Sequence, residues 1–414
     1  MLRQTALAAL ATLGLGSAAQ AVEIEYWQYF FDARVTAMEE LIANFEAATP
    51  DITVKMTHFP YDSYRTKVAA AIPAGEGPDV VQLFYGWLDD YKAASLIQPL
   101  PTEAFPAAEI DESFFPMVQA MKEGDQYWAL PTAVRSLALF YNERLMEEAG
   151  IESPPTNLDE LMEAARAMTK RDGAGNITVA GLTAGMTAQD HHWWREVLVR
   201  QFGGQPYTDE SATQVAYDSD AGRQALEYYM GLTEGDGAVT KIGFMDEPQA
   251  AFKAGLAGMH IDGSFRIGAL EDVRGLKWGV AELPAGPDGT QSNYSSYWVN
   301  AITTKAEGEK YDAAVKFMEY LVSDEAMQIW LDTVGELPAK PSVGMTDENA
   351  NDPIYGPFIR GLEYAHTTRF VNESEQRDLM VRAVERIDLE GQSVADSLAE
   401  AAVEEQKLLD GATN

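Results

Sequence analysis

YWALPTAVRSLALFYN, residues Tyr127–Asn142, is the stretch around which the rest of the chain is read. It opens with aromatics and a turn at Pro131, then becomes a β-rich apolar run closed by Tyr141 and Asn142. As a strand it carries Arg135, Leu137, Leu139 and Tyr141 on one face, because side chains alternate with a period of two. A guanidinium in such a run is costly to bury unless it is paired or hydrogen-bonded. Arg135 therefore either meets a protein carboxylate or faces a polar cleft.

Upstream, strands and helices alternate. Glu23–Tyr29 reads as a first strand, running into the polar and aromatic loop Trp27–Asp32. Val35, Met38, Leu41, Ile42 and Phe45 recur at helical spacing, and Thr49-Pro50-Asp51 stops that helix. Ile52, Val54 and Met56 alternate as a second strand, Pro60–Ser63 turns into another helix, and Asp79–Phe84 is a third strand. This order predicts an α/β fold with a mixed, mostly parallel sheet flanked by helices. Ligands on such sheets bind beyond the carboxyl ends of the strands, which points to Trp27–Asp32 and Tyr85–Trp87.

Downstream, the spacing predicts helices at Glu143–Ala149, Asn157–Met168 (capped by Asn157), His192–Gln201, Gly222–Thr233 and Glu247–Ala254. Short strands are expected at Val179–Leu182, Met259–Ile261, Trp278–Ala281 and Trp298–Thr303. Helices follow at Tyr311–Leu321 and Asp324–Asp332, and the chain beyond Pro338 reads as almost wholly helical. No floppy linker separates two domains, so short crossing strands must join them.

Composition narrows the function. The 414 residues allow two or three domains, and 46% hydrophobic with 23% charged residues is ordinary for a folded protein. Met1–Gln4, the apolar run Ala6–Ala18 and Ala19-Gln20-Ala21 predict a signal peptide cleaved after Ala21. No later stretch approaches the ~20 apolar residues of a membrane span. The chain has no Cys, which excludes disulfides, thiolate chemistry and Cys-bound metals. An exported chain of this kind is expected in a Gram-negative periplasm. With 30 Lys and Arg against 65 Asp and Glu the formal charge is −35, which repels nucleic acid and anionic lipid.

Catalytic signatures are missing: the sequence holds no Gly-rich nucleotide loop, HExxH zinc motif or GxSxG elbow. His191 and His192 are adjacent, and neighbours in sequence do not share a helix face, which argues against a joint metal site. No cofactor or metal is expected. Aromatics are the stronger signal: Trp27, Tyr85, Trp87, Trp193, Trp194, Tyr297 and Trp298 fall at strand ends, loops or helix starts. Such plates cover the apolar face of a sugar ring, while Asp, Asn and Arg satisfy its hydroxyl rim. As stacking plates, Trp27 and Trp298 are expected to serve binding more than stability.

A set of short motifs then resembles one family along essentially the whole mature chain. They are Gly77-Pro-Asp-Val-Val followed by Trp87, Ala94-Ser-Leu-Ile-Gln-Pro-Leu, Trp128-Ala-Leu-Pro, Leu139-Phe-Tyr-Asn and Pro155-Thr-Asn-Leu-Asp-Glu-Leu. Later come Phe252-Lys-Ala-Gly-Leu-Ala-Gly-Met, Asp262-Gly-Ser-Phe, Gly279-Val-Ala-Glu-Leu-Pro and Gly335-Glu-Leu-Pro. In this order the chain resembles the extracellular solute-binding proteins of carbohydrate-uptake ABC transporters, the maltose-binding-protein-like group.

The resemblance implies a two-lobe periplasmic-binding fold, monomeric, closing by a hinge on a carbohydrate and delivering it to the permease subunits of a transporter. It implies a first lobe of 22–131 and 266–331, a second of 132–265 and 332–414, and crossings near Pro131–Val134, Asp262–Arg266 and Asp332–Gly335. The ligand set it implies is Trp27, Gln28, Asp32, Tyr61, Asp62, Tyr85, Trp87, Arg135, Trp193, Trp194, Ser264, Phe265, Arg266, Trp298 and Glu336. Two positions depart from the family habit: Phe265 stands where Trp is frequent, and Arg135 where an apolar or small residue is usual. A neutral mono- or disaccharide or polyol is the preferred ligand, with Asp32, Asp62 and Glu336 available to neutralise the arginines. An anionic sugar or phosphodiester held by Arg135, Arg195, Arg266 or Arg369 is the alternative, and an exported carbohydrate-active enzyme is a further one.

Overall fold

A computed structural model describes residues 21–208, 212–235, 237–245, 248–368 and 370–412. The predicted signal peptide, apart from Ala21, and Glu247 and Arg369 lie outside the described residues. The main sheet runs in the order Ile52–Phe59, Val22–Tyr29, Val80–Phe84, Asn293–Thr303, Leu130–Asn142, Ala257–Gly263, Ile177–Leu182, Lys170–Arg171. The first three strands are mutually parallel around Val22–Tyr29, as the alternation of strand and helix predicts. Asn293–Thr303 enters antiparallel to both of its neighbours.

Leu130–Asn142 serves both lobes. Its first half pairs with Asn293–Thr303, from Ser136↔Ser295 to Leu130↔Asn300. Its second half pairs with Ala257–Gly263 and with Trp278–Ala281. Pro131 has no N–H to give, and the register against Asn293–Thr303 shifts where it sits: Ala133 faces Trp298, Pro131 faces Val299, and Thr132 is the extra residue. Asn300 Nδ2 donates to Thr132 Oγ1 at 3.1 Å across this bulge. Arg135, Leu137 and Leu139 do share a face; Leu137 and Leu139 enter one buried core with Leu161, Trp193 and Met259, while Ala138 and Phe140 enter the other, larger core.

The strand expected to begin at Trp298 begins at Asn293. Its first residues, Asn293-Tyr-Ser-Ser-Tyr, lack an apolar alternation; Ser295 and Ser296 pair with Ser136 and Arg135 of the neighbouring strand. Close backbone approach fixes the second lobe: a Cβ on Gly181 would fall 1.8 Å from the carbonyl of Ala165 in the helix Leu158–Met168. That helix is capped as expected, with Asn157 accepting from Glu160 N at 2.9 Å. The helix Asp324–Val334 ends at Gly335, whose φ of +73° is the left-handed conformation that favours glycine. The turn releases Glu336, and Leu337–Pro338 then pair with Val134 and Ala133.

Candidate functional site

Three ionised side chains meet where the lobes join. Arg34, in the first turn of the helix Asp32–Ala48, is 2% exposed and donates to Glu336 and, at 3.3 Å, to Gln82. Arg135 places Nε 2.7 Å from Oε1 of the same carboxylate and Nη2 3.3 Å from the hydroxyl of Tyr29. The other Glu336 oxygen accepts from Trp330 Nε1 at 2.9 Å. Burial pushes the Glu336 carboxyl up, but Arg135, Arg34 and these hydrogen bonds hold it down at about 2. The same pairing holds Arg135 above its usual range against the effect of burial. Arg135 thus has the carboxylate partner that its position in an apolar run requires, and keeps 17% of its side chain exposed.

Aromatic rings extend from this cluster. Tyr29 packs on Trp298 at 4.2 Å between centroids and on Tyr61 at 5.6 Å, and Trp298 in turn meets Trp87 at 5.3 Å. Phe265 lies between two guanidinium groups, Arg135 at 5.1 Å and Arg266 at 5.4 Å. Arg266 donates through Nε to Asp262 at 2.8 Å, and Asp262 also faces His260 at 3.0 Å. Burial raises the Asp262 carboxyl, but its bond to His260 and the charge of Arg266 outweigh this and lower it.

The structure therefore gathers Tyr61, Trp87, Trp298, Arg135, Glu336, Phe265 and Arg266 around Tyr29, which was not among the predicted site residues. Other predicted residues are placed apart. Trp193 and Trp194 are 1% and 0% exposed and pack on Tyr228, Tyr229 and Tyr217 inside the second core. Gln28 is fully buried, Ser264 is 1% exposed, and Trp27 packs edge-on against Phe59. Tyr85 is buried with its hydroxyl 2.9 Å from that of Tyr294 across the lobe junction. Asp32 and Asp62 are exposed; the carboxylate that neutralises Arg135 is Glu336. Trp298 is itself only 6% exposed, so it is a core residue as much as a plate. The open rings are Tyr61, Phe31 and Phe30, exposed by 58%, 54% and 44%.

Sequence reasoning passed over Tyr29, Arg34 and Tyr294. Arg34 had a readable signal: it falls one position before Val35 and four before Met38, on the apolar face of its helix. A separate cavity of about 740 Å³ lies beside Lys122, Glu196, Arg200, Tyr207, Tyr364 and His366, and none of the predicted ligand residues lines it. No helix among the described residues is long and apolar enough to cross a membrane.

Residues 40–357 match the family of bacterial extracellular solute-binding proteins, and the chain belongs to it. A binding protein of Brucella abortus is 26% identical over 414 residues, covering 97% of both chains. The maltotriose-binding protein of Pyrococcus abyssi is 25% identical over 83% of this chain and 72% of its own. Among solved structures, a cyclic α-maltosyl-1,6-maltose binding protein from Arthrobacter globiformis superposes with a TM-score of 0.82 at 19% identity, covering 94% of this chain and all of that one. That likeness shows the two-lobe solute-binding fold. The family and its neighbours are binding proteins rather than enzymes.

Proposed function

We propose that this chain is the sugar-capturing component of an ABC importer, closing its two lobes on a neutral carbohydrate and presenting it to the permease subunits from the periplasm. The lobes would rotate about the expected crossings near Pro131–Val134, Asp262–Arg266 and Asp332–Gly335. The observation that carries the reading is the combination at the junction: the exposed ring of Tyr61, packed on Tyr29, close to a guanidinium, Arg135, whose charge already rests on Glu336. Rings of this kind cover the C–H face of a pyranose, and the N–H groups of Arg135 not taken by Glu336 and Tyr29 would donate to hydroxyls. The names of the relatives, maltotriose-binding and cyclic maltosyl-maltose-binding, favour an oligosaccharide of glucose over a single sugar or polyol.

The anionic alternative is not favoured. A ligand carboxylate or phosphate at Arg135 would have to displace a protein carboxylate held at about 2 by two guanidinium groups. Arg266 is likewise taken by Asp262. The enzyme alternative has no support in the family matched. A thermal-shift screen of the mature chain against malto-oligosaccharides, acidic sugars and phosphodiesters tests the reading, since a ligand that binds the folded state raises its melting temperature. Stabilisation by acidic ligands alone would overturn it.

A further inference from the structure

We propose that His191, His192 and Glu373 form a binding site for a divalent transition-metal ion of the zinc type, in the second lobe's wall next to the junction. One donor atom from each residue lies within 4.8 Å of the others, and His192 Nε2 is 3.8 Å from Glu373 Oε1. Ligands at ~2.0–2.1 Å from a tetrahedral ion stand roughly 3.3–3.5 Å apart, so a small side-chain adjustment completes the set.

The two imidazoles are prepared for such a role. His191 Nδ1 donates to the carbonyl of Ala188 at 2.7 Å, which fixes the tautomer and leaves the lone pair on Nε2. That Nε2 is buried and has no hydrogen-bond partner among the described residues, an expensive condition for a polar atom in a ring only 3% exposed. The His192 ring is held flat on Tyr294, with centroids 3.8 Å apart and planes 10° from parallel.

Adjacent histidines ordinarily diverge on a helix. Here Asp190–His192 is a single turn that passes directly into the π-helical stretch Trp193–Leu198, and the two rings come within 3.7 Å. Glu373 enters from another element, the first residue of the helix Glu373–Asp388, with about a third of its side chain exposed. Its charge is felt by Tyr61 and Tyr85 of the first lobe. The nearby cations are compensated: Arg195 by Glu405 at 2.9 Å and Arg377 by Asp378 at 3.5 Å. Two neutral imidazoles and one carboxylate suit Zn²⁺ or Co²⁺ rather than Mg²⁺ or Ca²⁺, which prefer all-oxygen shells. Three protein ligands leave a coordination position open.

The test uses the mature chain, stripped with chelator, and Zn²⁺ alone as the probe, so that its outcome does not depend on which sugar the cleft takes. Calorimetry is expected to show one saturable Zn²⁺ site, with no comparable heat from Mg²⁺. His191→Asn and Glu373→Gln are each expected to weaken it by at least the roughly tenfold that loss of an outer-shell partner costs; the metal-free melting temperature is expected to stay unchanged in Glu373→Gln, at a part-exposed position, and to fall in His191→Asn, whose ring is buried. Zinc K-edge absorption of the unmodified protein is expected to show two imidazole nitrogens. The proposal is overturned by the lack of saturable binding, by unchanged affinity in the folded variants, or by an all-oxygen shell from surface carboxylates. The absorption measurement decides the matter even where a variant fails to fold.

Discussion

Nε of Arg135 stands 2.7 Å from Oε1 of Glu336, fastening the crossing strand Leu130–Asn142 to the segment released by Gly335. Glu336 serves two guanidinium groups and an indole, whereas Arg135 has one carboxylate. Arg135→Met leaves Glu336 with Arg34 and Trp330 and is expected to cost about 1–3 kcal/mol. Glu336→Met strands two cations and is expected to cost about 3–5 kcal/mol. Urea melts of the two variants check the order, and a larger loss from Arg135→Met contradicts it.

The same carboxylate sets an acid limb. Its folded value of about 2 lies below the ordinary 4.5, so the stability it contributes is fully present above pH 4.5 and is lost as pH falls towards 2. The loss over that window is roughly 3 kcal/mol. Glu336→Gln, less stable at neutral pH, is expected to show a flatter stability profile across it. A profile as steep as the parent's places the acid sensitivity elsewhere.

Exposure separates the aromatic residues into two kinds. Trp298→Ala opens a cavity among Tyr29, Tyr61 and Trp87 and is expected to cost about 3–5 kcal/mol of stability. Tyr61→Ala is expected to change stability by no more than about 0.5 kcal/mol while weakening sugar binding roughly tenfold. Calorimetry beside a denaturant melt reads both. Unchanged affinity in Tyr61→Ala removes the stacking proposal.

The 740 Å³ cavity beside Arg200 and Tyr364 is a competing location for the ligand. Tyr364→Phe is expected to leave sugar affinity within about twofold, because its hydroxyl donates to Glu282 at 2.7 Å and it lies apart from the Tyr29 cluster. A tenfold loss moves the ligand into that cavity.

The alternating strands and helices around Val22–Tyr29 and the unusual status of Arg135 were legible because hydrophobic periodicity and the cost of an unpaired guanidinium are local facts. The choice of its partner among the three candidate carboxylates Asp32, Asp62 and Glu336 was not, since Glu336 lies 201 residues away and only the tertiary fold brings it near. Composition also cannot separate a tryptophan that lines a cleft from one that fills a core: Trp193 and Trp194 sit at a helix start, as predicted, yet face inward. His191 and His192 were discounted by regular helical geometry, which the π-helical turn beside them does not follow.

The most direct measurement is calorimetry of the mature chain with malto-oligosaccharides of increasing length, followed by chromatography of the recovered ligand. The account predicts saturable one-to-one binding, affinity rising from glucose to the oligosaccharides, and sugar recovered intact. Binding of none of these neutral sugars, or their recovery as cleaved products, would contradict it.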